Sequence, residues 1–379
     1  MQCDFNQLGL LACLQLQGAR GLGNLTFGRL MEAFGSAENA LQQDIHSWQQ
    51  LGLSEKIYRS AQKSVSSSTL KTIEKWLSQS SNHHIIGYDC SYYPDLLKKL
   101  IDPPAILYAA GNINVLELKS IAMVGSRQAT PFGLKTTQKF AYQLASQGLS
   151  ICSGLALGID ASAHLGALSA NGGTVAFVGT GVDIIYPKTN EKIAQEMIQK
   201  NGLLVSEFPL GTPPKANNFP PRNRLICGLS SYGVIVVESK AKGGSMITAR
   251  LANEQGKDVF AVPGSIQSPL SEGCHLLIQQ GAKLVQNTTD ILQELNFSPS
   301  SGINTSIKDS PGLTSSRTSI QEHPQHIQIL AAMNYEIIRT EEIANFTKLT
   351  VDVLSTALLE LELQGKIKSL SGNRWQRVC

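Results

Sequence analysis

The chain has 379 residues, 42% of them hydrophobic and 16% charged, with a formal net charge of +3. That apolar fraction excludes wholesale disorder, the length points to two or three domains, and no apolar run approaches the roughly 18–20 residues that span a bilayer. The surplus charge lies in residues 111–297, with 15 Lys/Arg against 12 Asp/Glu and 21 of the 33 glycines, while the flanks balance at 9 against 9 and 8 against 8, so a chain-wide cationic coat is excluded too.

Residues 1–82 read as short helices with polar junctions. Phe5, Leu8, Leu11, Cys13 and Leu16 have the spacing of an amphipathic helix. A second helix, Leu25 to Phe34, follows the turn Gly21-Leu22-Gly23. Such a turn either permits two helices to meet closely or, in a helix–hairpin–helix, points free N–H groups at a phosphate; the first use is the commoner one. The stretch LGLLACL (8–14) has the look of a lipidated signal, but it lacks a basic leader and has Asp4 in its place. The seven cysteines (3, 13, 90, 152, 227, 274 and 379) are odd in number, scattered and free of CxxC pairs, so reduced thiols in the cytoplasm are expected, without metal or membrane.

From residue 83 the pattern changes. HHIIGYD and PPAILYAAG read as leading strands, and regular strand–helix alternation begins at Ser120. The strands SIAMVGS, LSICSG, TVAFVGT, LLVSEF, GVIVVES, DVFAVPG and KLVQN are apolar on both faces, and helices are expected at 131–147, 158–170, 190–201, 245–256 and 273–281. This is an α/β fold, a Rossmann-like doubly wound parallel sheet within residues 83–297, whose ligands bind at the strands' carboxyl ends. Residues 298–323, with eight serines and little apolar periodicity, read as a flexible linker. Helices at 324–333, 340–346 and 350–364 and a hairpin at 365–378 complete a winged helix over 324–379.

The strands end in small or polar residues: Gly125-Ser126-Arg127, Ser153-Gly154, Gly179-Thr180-Gly181, and Lys240 through Lys242 to Gly244-Ser245. Glycines let backbone amides approach an anion, and each helix start adds a positive end, so one edge of the sheet becomes a phosphate-binding rim. Arg127, Lys188, Arg222, Arg224, Lys240 and Lys242 supply cations near that edge, and Phe219 and Tyr186 offer rings for bases. Ion pairing of the arginines with Glu207, Asp183 or Glu238 is the competing use of those side chains. No GxxxxGK[ST] occurs and no intact GxGxxG follows the first of these strands, so no nucleotide cofactor is expected. Asp160 and His164 lack a nucleophile or further ligands and read as capping and packing residues.

The segments MVGSRQATPFG (123–133), SGLALGIDASAH (153–164), GTVAFVGTGVDIIYP (173–187), SEFPLGTPPKANNFPPRNRLICGLS (206–230), GGSMITARLANEQGKDVFAVPG (243–264) and SEGCHLLIQQGA (271–282) resemble, in order and spacing, the DNA-processing protein A (DprA/Smf) family. The flanks fit that family's layout of an N-terminal helical, SAM-like domain and a C-terminal winged helix. The resemblance implies a non-enzymatic protein that binds and protects incoming single-stranded DNA, loads RecA recombinase in natural transformation, and dimerises through the Rossmann-like domain. Carried over by motif, Arg127, Lys188, Arg222, Arg224 and Lys242 are phosphate contacts, and Gly125, Ser126, Ser153, Gly154 and Gly244 form a backbone cradle. Leu157 stands where many members have Arg. The helix 351–365 carries Asp352, Glu360 and Glu362 and no cation, so the winged helix is expected to contact protein rather than read a major groove. The alternative is a nucleotide-processing, phosphoribohydrolase-like enzyme on the same core; KGGSMITARLANE has that group's paired glycines but not its GT or spaced Glu.

Overall fold

The computed structural model describes residues 8–295, 297, 323–333 and 337–378. It opens with six helices, α1 (Leu8–Gly18), α2 (Asn24–Phe34), α3 (Ala37–Gln42), α4 (Ile45–Gln50), α5 (Glu55–Ala61) and α6 (Ser67–Ser78). Three of their starts are fixed by side-chain caps: Ser36, Asp44 and Ser66 accept the amides of Asn39, Ser47 and Thr69. Gly21 takes φ +84°, with Ile57 Cγ1 3.3 Å from where a Cβ would stand, so this glycine serves a tight corner between helices. Leu16, Phe27, Leu30 and Trp48 from these helices join one apolar cluster with Ile106, Tyr108 and Leu204 of the sheet that follows.

The second part contains β1 (His83–Gly87), α7 (Asp95–Lys98), β2 (Ile106–Gly111), β3 (Ser120–Val124), α8 (Pro131–Ser146), β4 (Ser150–Ser153), α9 (Ile159–Ser169) and β5 (Thr174–Phe177). It continues with α10 (Glu191–Gln199), β6 (Gly202–Ser206), α11 (Phe219–Leu229), β7 (Val234–Val236), α12 (Gly244–Glu254), β8 (Val259–Ala261), α13 (Glu272–Gln279), β9 (Lys283–Leu284) and α14 (Thr288–Glu294). These strands form one nine-stranded sheet in the order β1-β2-β6-β5-β4-β3-β7-β8-β9. From β6 to β9 every neighbouring pair is parallel, and β2 joins β6 antiparallel. The parallel strands β3 to β7 are buried along their whole length, as helices on both faces require. The leading strands β1 and β2 therefore extend the doubly wound sheet at one edge.

The third part is α15 (Pro324–Met333), β10 (Ile337–Arg339), α16 (Thr340–Thr347), α17 (Val351–Leu363), β11 (Ile367–Leu370) and β12 (Arg374–Arg377), with sheet order β10-β12-β11. It is a winged helix with its own core of Ile329, Ile343, Leu354, Leu358 and Leu361. The backbone amide of Phe132 at the start of α8 donates to Gln376 Oε1 (3.3 Å), joining it to the large sheet. The serine-rich stretch 298–323 lies outside the described residues except for its last position. Cys13, Cys152, Cys227 and Cys274 are buried free thiols. Cys90, half-buried in the turn after β1, is disulfide-bonded, which corrects the expectation of reduced thiols throughout. Among the described residues no helix is long and apolar enough to cross a membrane.

Candidate nucleic-acid interface

The strand order turns outward in opposite directions from β3 and β7, so these two neighbours mark the switch point where a doubly wound sheet opens a crevice. A pocket of about 900 Å³ lies there. Gly125, Ser126 and Arg127 enter it from the end of β3, and Ser239 and Lys240 from the end of β7. The first turn of α12 (Gly244, Ser245) forms another wall, and a helix's first amides lack partners within the helix. Opposite stands α11, which begins at Phe219 with two prolines in its first turn, where a missing N–H costs nothing. Phe219, Arg222, Asn223 and Ile226 line the pocket, the i, i+3, i+4, i+7 stripe of one helix face. Leu157, 42% exposed, and Ile247, 37% exposed, complete an apolar ledge at the mouth.

The charges around this opening differ sharply in their commitments. Arg127, Lys188, Lys240 and Lys242 are exposed, and among the described residues none of them pairs with a carboxylate. The Arg127 guanidinium carbon lies 5.8 Å from the Phe219 ring centroid, and Tyr186 stands 5.7 Å from the same ring, centroid to centroid. A cation held over an aromatic face beside a second, 44% exposed ring suits a ligand that carries both phosphate and bases. Gly179 makes room for this arrangement, because a Cβ there would meet Phe219 Cδ1 at 2.9 Å.

Arg222 is of another kind. It is 4% exposed and donates from Nη1 to the carbonyl oxygens of Gly154 (2.6 Å) and Phe177. Burial lowers its pKa to about 10, with the Asp160 carboxylate opposing that effect. Its Nε has no hydrogen-bond partner among the described residues. Asp160 in turn accepts the amides of Gly154 (3.1 Å) and Ala156 (3.4 Å), so it caps the loop that enters α9. His164 is fully buried with Nδ1 2.7 Å from Thr174 Oγ1, a packing residue as its sequence setting indicated.

Several residues grouped with the rim in sequence do not line the pocket. Arg224 sits about 200° around α11 from Arg222, on the helix's other side. There it pairs with Glu207 (2.5 Å) and Asp102 (2.8 Å), the competing use anticipated for Glu207. Glu207 also accepts from Asn24 Nδ2 at the start of α2 (2.6 Å), so Arg224 is part of the joint between the helical segment and the sheet. Ser153 Oγ donates to Met123 O (2.7 Å) inside the sheet, and Gly154 has its amide on Asp160 and its carbonyl on Arg222. The Ser126 amide donates to Glu238 O (2.6 Å), so within the expected cradle Ser126 and Gly154 already have internal partners. Lys188 and Lys242 lie outside the lining, beside Tyr186 and Lys240 in sequence. The sequence did not single out Ile247 or Asn223; a helical reading of 219–229 was the missing step, since it places Asn223 one residue after Arg222 on the same face.

A model of the family described as DNA recombination-mediator protein A matches residues 84–296, and a DprA winged helix domain model matches residues 314–373. The chain is 41% identical over 315 residues to Protein Smf of Escherichia coli, a match spanning 82% of each protein. The chain belongs to the DNA recombination-mediator protein A family. Within that family it is also 46% identical over 209 residues to DNA processing protein DprA of Streptococcus pneumoniae, covering 55% of this chain and 72% of that protein. Among solved structures, DNA processing protein A of S. pneumoniae superposes with a TM-score of 0.66 at 34% identity, over 76% of this chain and 98% of that one. DNA processing protein A of Helicobacter pylori, characterised for its single-stranded DNA binding mode, gives a TM-score of 0.50 at 32% identity, over 56% and 95%. These family matches cover the pocket's walls from Gly125 to Thr248.

Proposed function

We propose that the protein binds single-stranded DNA in the switch-point pocket and acts as a recombination mediator in transformation, protecting the strand and loading RecA recombinase onto it. One observation carries this reading: two exposed cations without carboxylate partners among the described residues, Arg127 and Lys240, line a pocket that also presents an aromatic pair, and Lys188 and Lys242 follow close by in sequence. Arg127, Lys240, Lys188 and Lys242 meet phosphates, Tyr186 and Phe219 meet bases, and Gly244 and Ser245 offer the first amides of α12. Gly125 keeps the β3 turn close, since a Cβ there would stand 2.9 Å from Glu238 O. The protein works without catalysis of its own, as a cytoplasmic homodimer formed through the sheet domain. The phosphoribohydrolase reading gains nothing from the pocket: its lining carboxylate is Asp160, held by two backbone amides, and Glu254 ends α12 paired with Arg250 (3.4 Å).

The test is fluorescence anisotropy with unrelated labelled oligonucleotides at stepped salt. Arg127→Ala is expected to weaken all of them by similar factors and to lower the salt slope by about 0.7, the share of one phosphate contact on a single strand. Wild-type slope and affinity in Arg127→Ala,Lys240→Ala would remove the pocket from consideration. A RecA-loading assay on DNA coated with single-strand-binding protein tests the second half, and no acceleration of filament formation would reduce the function to binding alone.

A further inference from the structure

The two helices that frame the pocket, α11 and α12, are each 11 residues long, about 16 Å at 1.5 Å per residue. Both present their N-terminal turns to the pocket, so both carry their last turns away from it. A single residue meets both far ends. The Lys257 ammonium donates to the carbonyl oxygens of Cys227 (2.5 Å), Gly228 (2.8 Å) and Ser230 (2.7 Å) at the end of α11. Its three protons thereby find three acceptors, all on the last turn and cap of one helix. The backbone amide of the same residue donates to Ala252 O (2.9 Å), and that of Gly256, at φ +65°, to Asn253 O (3.0 Å). That pair of bonds is a Schellman cap, and it ends α12. Cys227 Sγ, donating to Thr248 O (3.1 Å), ties the helices again between these ends.

Small angular changes at that joint become displacements at the pocket, because each helix is a rigid lever with Phe219 and Arg222 on one tip and Gly244 and Ser245 on the other. We propose that Lys257 is a positioning residue for the single-strand site, setting the separation of the two helix N-termini from about one helix length away. This rests on the DNA-binding reading of the pocket. Lys257 touches no phosphate in this scheme; its charge meets the negative end of α11 while the ligand meets the positive end.

The test uses the full chain with Lys257→Met, Lys257→Gln and Lys257→Arg, measured for a labelled oligothymidylate at stepped salt, well below each variant's unfolding midpoint. Lys257→Met is expected to weaken binding about tenfold while the salt slope stays at the wild-type value, because no counterion-releasing contact is lost. Lys257→Arg, which keeps the charge and several donors, is expected to recover most of that loss. If Lys257→Met lowers the midpoint but binds as wild type does, the residue only stabilises and the inference is overturned. A drop in slope like that of Arg127→Ala overturns it differently, by making Lys257 a direct contact. Should Lys257→Met fail to fold by circular dichroism, Lys257→Gln, which keeps an amide donor for the carbonyls, decides between the same outcomes. Absence of oligonucleotide binding by the wild type refutes the underlying DNA-binding reading instead, and is visible before any variant is made.

Discussion

At the scale of single residues, burial has sorted the ionisable groups into those available to a ligand and those committed to the fold. Thr174 Oγ1 donates to Ile151 O and so accepts from His164 Nδ1, which leaves the neutral ring's Nε2 buried and without a hydrogen-bond partner among the described residues. Burial pushes the His164 pKa down to about 3. A lowered folded-state pKa means the unfolded chain binds the proton first, so stability is full above the ordinary histidine range near 6.5 and falls as pH drops toward 3. Between pH 7 and pH 5 this group alone is expected to remove about 2 kcal/mol, and His164→Asn should flatten that part of a urea-midpoint profile. Arg224 makes the opposite case, a buried guanidinium set between two carboxylates, Glu207 and Asp102. Arg224→Ala leaves Glu207, 8% exposed and with its carboxyl already raised by burial, without its main partner. A loss of about 3 kcal/mol is expected in chemical denaturation. Affinity for DNA per folded molecule should barely change, a contrast with Arg127→Ala that separates the two arginines.

At the scale of elements, the pocket depends on loops whose glycines have specific duties. Gly158 precedes α9 at φ +76°, and a Cβ there would collide with Ser126 O and crowd the Arg127 carbonyl. Gly158→Ala is therefore expected to cost at least about 1 kcal/mol of stability from backbone strain and to displace the Arg127 loop, read as both a lower melting midpoint and weaker oligonucleotide binding. The seven parallel strands and the winged helix were legible in the sequence because apolar runs alternate with periodic helices there. α11 was not: the helices expected from the sequence leave out residues 219–229, where two prolines mask a helix start although a helix tolerates proline in its first turn. That omission is why Arg222 and Arg224 were grouped: in a loop they are neighbours, on a helix they point apart. The antiparallel seat of β2 against β6 was equally hidden, since apolar runs report burial and not partners. In the winged helix, the acidic outer side of α17 stood in the sequence, and the structure adds exposed Leu359 and Leu363 to it. Those side chains, with Glu360 beside His326 Nε2 (3.0 Å), give that helix no cation to offer a base edge.

At the scale of the whole molecule, a net charge of +3 means that the chain carries no general cationic coat. The four cations proposed as phosphate contacts correspond on a single strand to a salt slope of about −3 per chain, far shallower than that of a chain coated with basic residues. Removing residues 324–379 is expected to leave that slope unchanged in the anisotropy assay, because none of those four cations lies there. The switch point has a kinetic side as well. Its two central strands, β3 and β7, are adjacent in space yet more than 100 residues apart in the chain, and the last wall, α12, ends at Glu254. Contacts of such separation close late, since the intervening chain must first be ordered. The pocket is thus a late event in folding: during synthesis its walls stay incomplete until two thirds of the chain has emerged. The native tryptophans Trp48, Trp76 and Trp375 all lie outside it, and a Phe219→Trp reporter is expected to recover in the slowest refolding phase, after their signals have settled.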